Sequence, residues 1–261
     1  MFKGFNYKLP EYEVITPHTH DSFTLRTLTV QEEERLKGSM MTASKITDHL
    51  NKCIYECIVS KPEHITDFNS FLKNITVKDR DCLLYGLYHI TYDEIRDYSI
   101  RCSRCEKKYD VTIKASDTFN YNPFPENDIL IRKLTIPLKL ATGVSVIVRQ
   151  PTLEDEQKAI KSLASPEFTL ETVFETLIIT KFIQENSESS EIIEYDSRDD
   201  IIYAYRSLPS KDKRIIFEEY EKNFGQYGIE LKMKGTCVHC SNEEVINIDL
   251  VENFFRMVHS I

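Results

Sequence analysis

The sequence contains no Trp, and its 261 residues include only seven Gly. It has no Gly-rich phosphate-binding loop, no Gly-x-Ser-x-Gly nucleophile turn and no His-Glu-x-x-His zinc-protease motif. These absences disfavour phosphate-cradling nucleotide-binding proteins, serine hydrolases of the common type and zinc proteases. The remaining aromatic residues, 14 Tyr and 14 Phe, indicate ordinary packing and carry no functional signal.

A basic surface and a long apolar segment are also missing. The formal net charge is −9, and Lys and Arg form no block that would neutralise a run of phosphates. Direct binding to nucleic acid is therefore disfavoured. No apolar run approaches the roughly 20 residues of a membrane helix, and the opening residues MFKGFNYKLPEYEV lack the apolar stretch of a signal peptide. We expect no membrane span and a cytosolic protein.

The chain has seven Cys, an odd number that cannot all pair within one molecule. Cys53, Cys57 and Cys82 fall at helical spacings among apolar residues and are predicted to be buried core thiols. The other four form two Cys-x-x-Cys pairs, 102–105 and 237–240. In a reducing compartment such pairs are more often metal-binding or redox-active than structural disulfides.

Three segments recur in the same order, which indicates an internal duplication. LRTLTVQEEERLK aligns with VRQPTLEDEQKAI, TVKDRDCLLYGLY with PSKDKRIIFEEY, and YSIRCSRCEKKYDVTI with LKMKGTCVHCSNEEVINI. The number of residues between a segment and its match is larger for the second and third matches than for the first. Between its first and second matched segments, the second copy contains ENSESSEIIEYDSRDD (185–200). Its Ser- and acid-rich composition is typical of a solvated loop, so one insertion explains the drift.

We therefore predict a mainly helical α+β protein made of two tandem pseudo-symmetric repeats. Each repeat would contain a strand, helices and a zinc-knuckle β-hairpin. Apolar residues at helical spacing predict a helix through residues 46–58 and its counterpart through 170–182. The predicted boundaries are an N-terminal arm at 1–22, repeat 1 at 23–125 and repeat 2 at 126–261, joined by a linker at 114–129 that contains two Pro and three Asn.

If a pseudo-twofold axis relates the repeats, Cys102 and Cys105 face Cys237 and Cys240. Four thiolates complete the tetrahedral set that structural zinc prefers, so we predict one structural zinc ion per chain. Two half-sites completed by a histidine or by another subunit, and knuckles without metal, remain alternatives. A redox role is disfavoured because the pairs are predicted to lie between strands rather than at a helix N-terminus.

Other candidate sites are weaker. The sequence HTHD places His18, His20 and Asp21 together, which suggests either a metal cluster or a solvated turn in the N-terminal arm, and we favour the turn. The acidic run 32–34 is typical of a solvent-exposed helix start. His89 lies among three Tyr and is predicted to pack in a core or an interface rather than act as a general base.

Three segments, FTLRTLTVQEEERLK, DCLLYGLYHITYD and CVHCSNEEVINIDLVENFF, resemble the baseplate hub assembly proteins of T4-like contractile-tailed phages. The resemblance implies a factor that acts in the infected host's cytoplasm, helps to build the central hub of the baseplate and has no known catalytic residues. It extends to the two cysteine pairs and to the Phe-Phe end, Phe254 and Phe255. Its partners would be other hub or tail proteins.

Two other readings stay open: a permanent structural subunit of the virion baseplate, and an enzyme whose site comes from residues scattered in the sequence. The absence of catalytic motifs favours a binding protein. Phe254 and Phe255 lie close to the end of the sequence, where residues are ordered only when they dock. They are candidate partner-binding residues, and docking on the protein's own core is the competing interpretation.

Overall fold

The computed structural model describes residues 8–37, 43–92, 96–113, 119–125, 134–185 and 191–247. The first half of the chain, up to residue 125, contains β1 (Glu11–Ile15), β2 (Ser22–Arg26), α1 (Val30–Lys37), α2 (Ala43–Glu56), β3 (Ile58–Ser60), α3 (Phe68–Asn74), α4 (Val77–Thr91), β4 (Arg96–Arg101), β5 (Lys108–Ile113) and β6 (Phe119–Asn122). The second half contains β7 (Thr135–Lys139), β8 (Ser145–Arg149), α5 (Leu153–Lys161), α6 (Leu170–Glu175), β9 (Ile179–Glu185), β10 (Ile192–Tyr195), α7 (Arg198–Ser207), α8 (Ser210–Tyr220), β11 (Gly228–Thr236) and β12 (Glu243–Asn247). Groups of helices are interspersed with groups of strands, and the strand pairings of the described residues are antiparallel, so the fold is mixed α+β.

The first half builds a small antiparallel sheet in the order β1-β2-β3 and packs helices against it. Helix α3 begins at a capping box in which Asp67 and Ser70 satisfy each other's backbone N–H groups. Helix α4 begins at Thr76, whose hydroxyl accepts the N–H of Asp79. Phe23 and Leu25 of β2 are fully buried against apolar residues of α2, α3 and α4. The apolar side chains on one face of the sheet therefore pack against the apolar faces of the helices in one core.

The second half repeats this arrangement with one additional strand, in the order β7-β8-β9-β10. Helix α5 begins at a capping box formed by Thr152 and Asp155, and α7 begins at Ser197. Val146 and Val148 of β8 are fully buried, like the corresponding residues of β2. A second core forms where this sheet meets α7 and α8.

One buried contact is made twice. Asp79, the third residue of α4, accepts the backbone N–H of His18 in the β1–β2 turn at 2.8 Å. Asp212, the third residue of α8, accepts the backbone N–H groups of Ala141 and Thr142 in the β7–β8 turn at 2.9 and 3.2 Å. In each half, a carboxylate at a helix start holds the hairpin turn of that half's sheet.

The two halves also touch directly, where the starts of α4 and α5 meet. Thr76 and Thr152 form an isolated antiparallel bridge. One turn into each helix, Arg80 and Glu156 form a buried ion pair with a 2.5 Å contact between Nη1 and Oε2. Burial raises the pKa of Glu156 although the guanidinium opposes the rise, which shows how strongly this contact is shielded from water.

Four local predictions were wrong. The helix predicted through 170–182 ends at Glu175, and after a 3-10 turn the chain continues as β9, where Phe182 is buried on a strand. A short run of apolar residues suits a buried strand as well as a helix, and pairing with β8 decided the outcome. The predicted polar arm at 1–22 contains β1, and His18 is only 2% exposed.

Part of the predicted loop at 185–200 forms β10 and the start of α7. Part of the predicted linker at 114–129 forms β6, which pairs with β11 of the second half, and Phe124 is buried in the second core. In both segments a few apolar residues, among them Tyr195 and Phe124, pack against the second core although most of their neighbours in sequence are polar.

Other predictions were confirmed. Cys53, Cys57 and Cys82 are buried, and the ring of His89 packs against the rings of Tyr12 and Tyr85. A fifth prediction, that the acidic run at 32–34 is exposed to solvent, was wrong for two of its residues: Glu32 and Glu33 are buried. Glu32 binds Arg26 with contacts of 2.6 and 2.9 Å, and Glu33 accepts the hydroxyl of Tyr92. None of the helices in the described residues combines the length and apolar character that crossing a membrane requires.

Candidate metal centre

The cysteine pairs lie at the tips of two antiparallel hairpins, β4–β5 and β11–β12. The two turns have the same backbone hydrogen bonds. The N–H of Glu106 donates to the carbonyl of Cys102 at 2.9 Å, and the N–H of Ser241 donates to that of Cys237 at 2.8 Å. Each first cysteine also donates its own N–H to a carbonyl five residues on, Lys107 in one hairpin and Asn242 in the other.

Both turns use a left-handed residue just after the second cysteine. Glu106 has φ of 58° and Ser241 has φ of 56°, a region that Gly occupies without strain and other residues occupy at a cost. The sequence has no Gly at these positions, yet the chain adopts the conformation that Gly favours. In both turns the strained residue donates its N–H to the carbonyl of the first cysteine, which closes the turn that holds the pair.

The four sulfurs form one compact cluster. All four lie within 4.8 Å of one another, and among the described residues they form the single group of three or more candidate ligands at such distances. Cys102 Sγ lies 3.6 Å from Cys240 Sγ, and Cys105 Sγ lies 3.7 Å from Cys237 Sγ. A tetrahedral Zn–S distance of about 2.3 Å requires sulfurs about 3.8 Å apart, whereas a disulfide requires about 2.05 Å. The spacing fits a shared metal ion and excludes disulfides.

The cluster is partly shielded from water. Cys102 and Cys237, the first cysteine of each pair, are fully buried, and Cys105 and Cys240 are half-buried. Tyr109 and the partly buried Ile100 and Val111 of β4 and β5 pack around them. Such a site is closed on its protein side and holds four soft ligands, which is the pattern of a structural metal centre rather than of a catalytic one with an open position.

The two thiols of the second pair have pKa values shifted in opposite directions. Burial opposes ionisation of Cys237, but the backbone N–H groups of His239 and Cys240 outweigh it and lower the pKa of Cys237 to about 7. The backbone N–H of Asn242 favours the thiolate of Cys240, yet burial and the neighbouring thiols raise its pKa to about 12. The two cysteines of the second pair therefore differ in how readily they form a thiolate, and a bound metal ion would favour the thiolate form of each ligand.

Glu244 of β12 connects the two hairpins beside the cluster. Its carboxylate accepts the N–H of Ser103 at 2.6 Å and also the hydroxyl of Ser103, and it accepts the side-chain amide of Asn242 at 2.9 Å. The hydroxyl of Tyr109 lies 3.5 Å from the same carboxylate. The sequence prediction missed Glu244. The alignment that matches Cys105 with Cys240 places Glu244 opposite Tyr109, so no motif shared by the two cysteine turns marks this carboxylate.

The other sequence candidates lie apart from this cluster. His239, predicted to be an exposed residue rather than a ligand, is exposed, and its Nε2 contacts the carbonyl of Lys108 at 3.1 Å. In the HTHD segment, His18 bonds Thr76, His20 bonds the carbonyl of Phe124, and no shared metal geometry arises. Phe254 and Phe255 lie outside the described residues.

Comparison with known proteins identifies the family. The family model described as T4 bacteriophage base plate protein matches residues 9–256, which is nearly the whole chain and includes both cysteine pairs. Comparisons with curated proteins and with solved structures gave no match. The family match covers both sheets, the contact between α4 and α5 and the four-cysteine cluster, and it confirms the baseplate resemblance seen in the sequence: the chain belongs to the T4 bacteriophage base plate protein family.

Proposed function

We propose that this protein is a non-catalytic assembly factor for the hub of a phage tail baseplate. In this proposal it acts in the host cytoplasm by binding other hub or tail proteins, and a single structural zinc ion ties its two halves together. The supporting observation is the position of the four sulfurs. Two hairpins far apart in the chain place them at zinc-coordinating distances in a partly buried, closed cluster.

The proposal includes the tandem repeat, with repeat 1 at 23–125, repeat 2 at 126–261 and residues 1–22 preceding them. Corresponding contacts support it: Asp79 and Asp212 each hold a hairpin turn, and Glu106 and Ser241 each adopt a left-handed conformation after a cysteine pair. Two copies of one unit explain why one metal ion takes two ligands from each. The presence of β1 before residue 22 extends the first unit toward the N-terminus.

The metal part of the proposal is tested by metal analysis of protein purified without chelator. We expect one zinc ion per chain, and no zinc after Cys102 and Cys105 are both changed to Ser or after Cys237 and Cys240 are both changed to Ser. The matched control changes Cys53 and Cys82 to Ser and should keep the zinc. Loss of half the metal from one pair of changes would indicate separate sites, and metal-free wild-type protein would refute the zinc.

The assembly part has one competing function, because a member of a base plate protein family is also a candidate for a permanent structural subunit. Mass spectrometry of purified virions beside the infected lysate separates the two. An assembly factor is abundant in the lysate and absent from finished virions, whereas a subunit is present in virions at a fixed ratio to other baseplate proteins.

Phe254 and Phe255 are proposed as partner-binding residues. Burying two Phe side chains contributes about 3 to 6 kcal/mol. We expect that changing both to Ser reduces co-purification of hub proteins. A lower melting temperature with unchanged co-purification would instead place these rings on the protein's own core, and no change in either measurement would refute both roles.

A further inference from the structure

An open apolar pocket lies at one edge of the second half, away from the residues of the cysteine cluster. Its volume is about 380 Å³, within the range of pockets that bury a ligand or a large side chain. The pocket is lined by residues from β9, β10, α7, the α7–α8 connection and the β7–β8 turn, among them Val144, Phe182, Tyr195, Tyr203 and Leu208.

At this pocket a small residue stands where the first half has a ring, and β10, which has no counterpart in the sheet β1-β2-β3, adds a wall. Asp79 and Asp212 hold equivalent turns, and the residues eight positions before them are Phe71 and Ala204. Phe71 is fully buried and packs against the rings of Tyr55 and Phe68. Ala204 lines the pocket and leaves this volume unfilled.

The pocket adjoins a strand edge. β10 is the last strand of its sheet, and in the described part of the chain it pairs only with β9. Ile193 and Tyr195 lie opposite Gln184 and Phe182, so these four side chains share the face that lines the pocket or borders it. Ile192 is 67% exposed. An exposed strand edge with apolar side chains is a template for adding another strand.

The rim of this surface is acidic. Glu185, Asp196, Asp199 and Asp200 are exposed around the strand and the pocket. Two nearby cations are already paired, since Lys181 binds Glu194 of β10 at 2.8 Å and Arg198 donates to the backbone carbonyls of Thr176 and Ile179. A second copy of this edge would bring like charges together, so charge complementarity favours a basic partner.

We propose that the pocket and the β10 edge form a docking site for an extended segment of another tail protein, in which large apolar side chains alternate with Lys or Arg. The segment adds a strand beside β10, one apolar side chain enters the pocket, and its basic side chains face the acidic rim. This inference rests on the proposed binding function and assigns a surface to it.

The test uses two fluorescein-labelled synthetic peptides, one with alternating Lys and Leu around a central Phe and a twin with Glu in place of each Lys. Fluorescence anisotropy with the whole chain should show binding of the basic peptide that weakens with salt, and at least tenfold weaker binding of the acidic twin. Ala204→Phe, which places a ring in the pocket, should reduce binding of the basic peptide at least tenfold.

The matched control is Val59→Phe, which adds a ring to exposed β3 in the first half. It should bind the basic peptide like wild type. If Ala204→Phe does not fold, as judged by its melting curve, Gln184→Lys at the exposed pocket rim serves instead and should also weaken binding. Equal binding by the pocket variants and the control, or no binding to wild type at 1 mM peptide, overturns the docking site.

Sedimentation of the wild-type chain without peptide tests whether a second copy of the chain occupies the site instead. A dimer that Ala204→Phe converts to monomer would overturn the proposed partner in favour of a second copy. If the peptide tests fail but the chain still binds zinc and captures hub proteins, the docking site is wrong and the proposed function stands. If the wild-type chain captures no hub proteins, the proposed function is refuted.

Discussion

Glu106 and Ser241 carry backbone strain in the two turns that hold the cysteine cluster. Both have φ near +57° without the freedom of Gly. Changing either to Gly removes a left-handed strain of about 1 to 2 kcal/mol and adds about 0.5 to 1 kcal/mol of unfolded-state entropy. We expect each substitution to stabilise the folded, metal-bound chain by up to about 1 kcal/mol, measured by chemical denaturation.

Arg104→Gly provides the control, because Arg104 lies in the first cysteine turn, is exposed and has no positive φ. This substitution relieves no backbone strain, so it should leave the free energy of unfolding unchanged or lower it. Stabilisation by Arg104→Gly equal to that of Glu106→Gly would show that added flexibility in the turn, rather than relief at one φ angle, is responsible.

His18 makes stability depend on pH. Burial lowers its pKa from the ordinary 6.5 to about 4. Because the folded pKa is depressed, its contribution to stability is complete above pH 6.5 and is lost as the pH falls toward 4, where the unfolded chain has taken up the proton. His18→Gln should therefore lose less stability between pH 7 and 4 than wild type, by at most about 3 kcal/mol.

Asp79, which accepts the backbone N–H of His18, changes the stability in the opposite direction as the pH rises. Burial raises its pKa from 3.8 to about 6, so its contribution is complete below pH 3.8 and is lost as the pH rises through 6. Asp79→Asn should gain stability relative to wild type as the pH increases from 4 to 7. Urea denaturation at several pH values measures both effects, and parallel curves for wild type and His18→Gln would contradict the assignment.

At the level of elements, the junction of α4 and α5 depends on the buried pair Arg80 and Glu156. Removing one partner leaves a buried charge uncompensated, which costs about 3 to 5 kcal/mol, whereas replacing both by apolar residues is often neutral. We expect Arg80→Met to destabilise strongly and the double change Arg80→Met with Glu156→Leu to recover most of the loss. A double-mutant cycle in urea gives the coupling energy directly.

The surface pair Lys158 and Glu154 on α5 is the control for that cycle. These side chains are 59% and 33% exposed, so their coupling should be below about 1 kcal/mol. Equal coupling in both pairs would mean that the buried pair contributes no more than a solvated one and that apolar packing alone holds the helices together.

Elements were predictable from sequence where a local signal and tertiary packing agree. The helix starts at Thr76 and Thr152 carry such a local signal, because the capping Thr and the acid three residues on lie within one short segment. β9 and β6 were missed because their partners, β8 and β11, lie elsewhere in the chain. A strand that is stabilised by backbone pairing carries little trace of that pairing in its own residues.

At the scale of the whole molecule, the metal cluster was predictable because the repeated order of segments implied that the two cysteine pairs meet. Its outer residues were not, since Glu244 and Ser103 come from different hairpins and neither stands in a motif. The pocket beside β10 was not predictable either, because its lining residues come from separate segments and one Ala at position 204 of a helix carries no signal.

The proposed zinc predicts which part of the molecule loosens first when metal is removed. The cores around Phe23 and Phe182 are closed by apolar packing that needs no ion. The hairpins, in contrast, meet through a small cluster in which Cys102, Tyr109 and Cys237 are the buried members. A metal ion that gathers four thiolates couples its binding free energy to this contact.

Hydrogen exchange of the chain with and without chelator tests this expectation. Protection should fall first in β4, β5, β11 and β12, while β2, α4, β8 and α8 keep theirs, because local opening of the hairpins costs less than opening either apolar core. The double change of Cys237 and Cys240 to Ser should show the same pattern without chelator, and the Cys53 and Cys82 double change should show it only after chelation. Uniform loss of protection across both cores and hairpins would mean that the ion stabilises one cooperative unit rather than the contact between the halves.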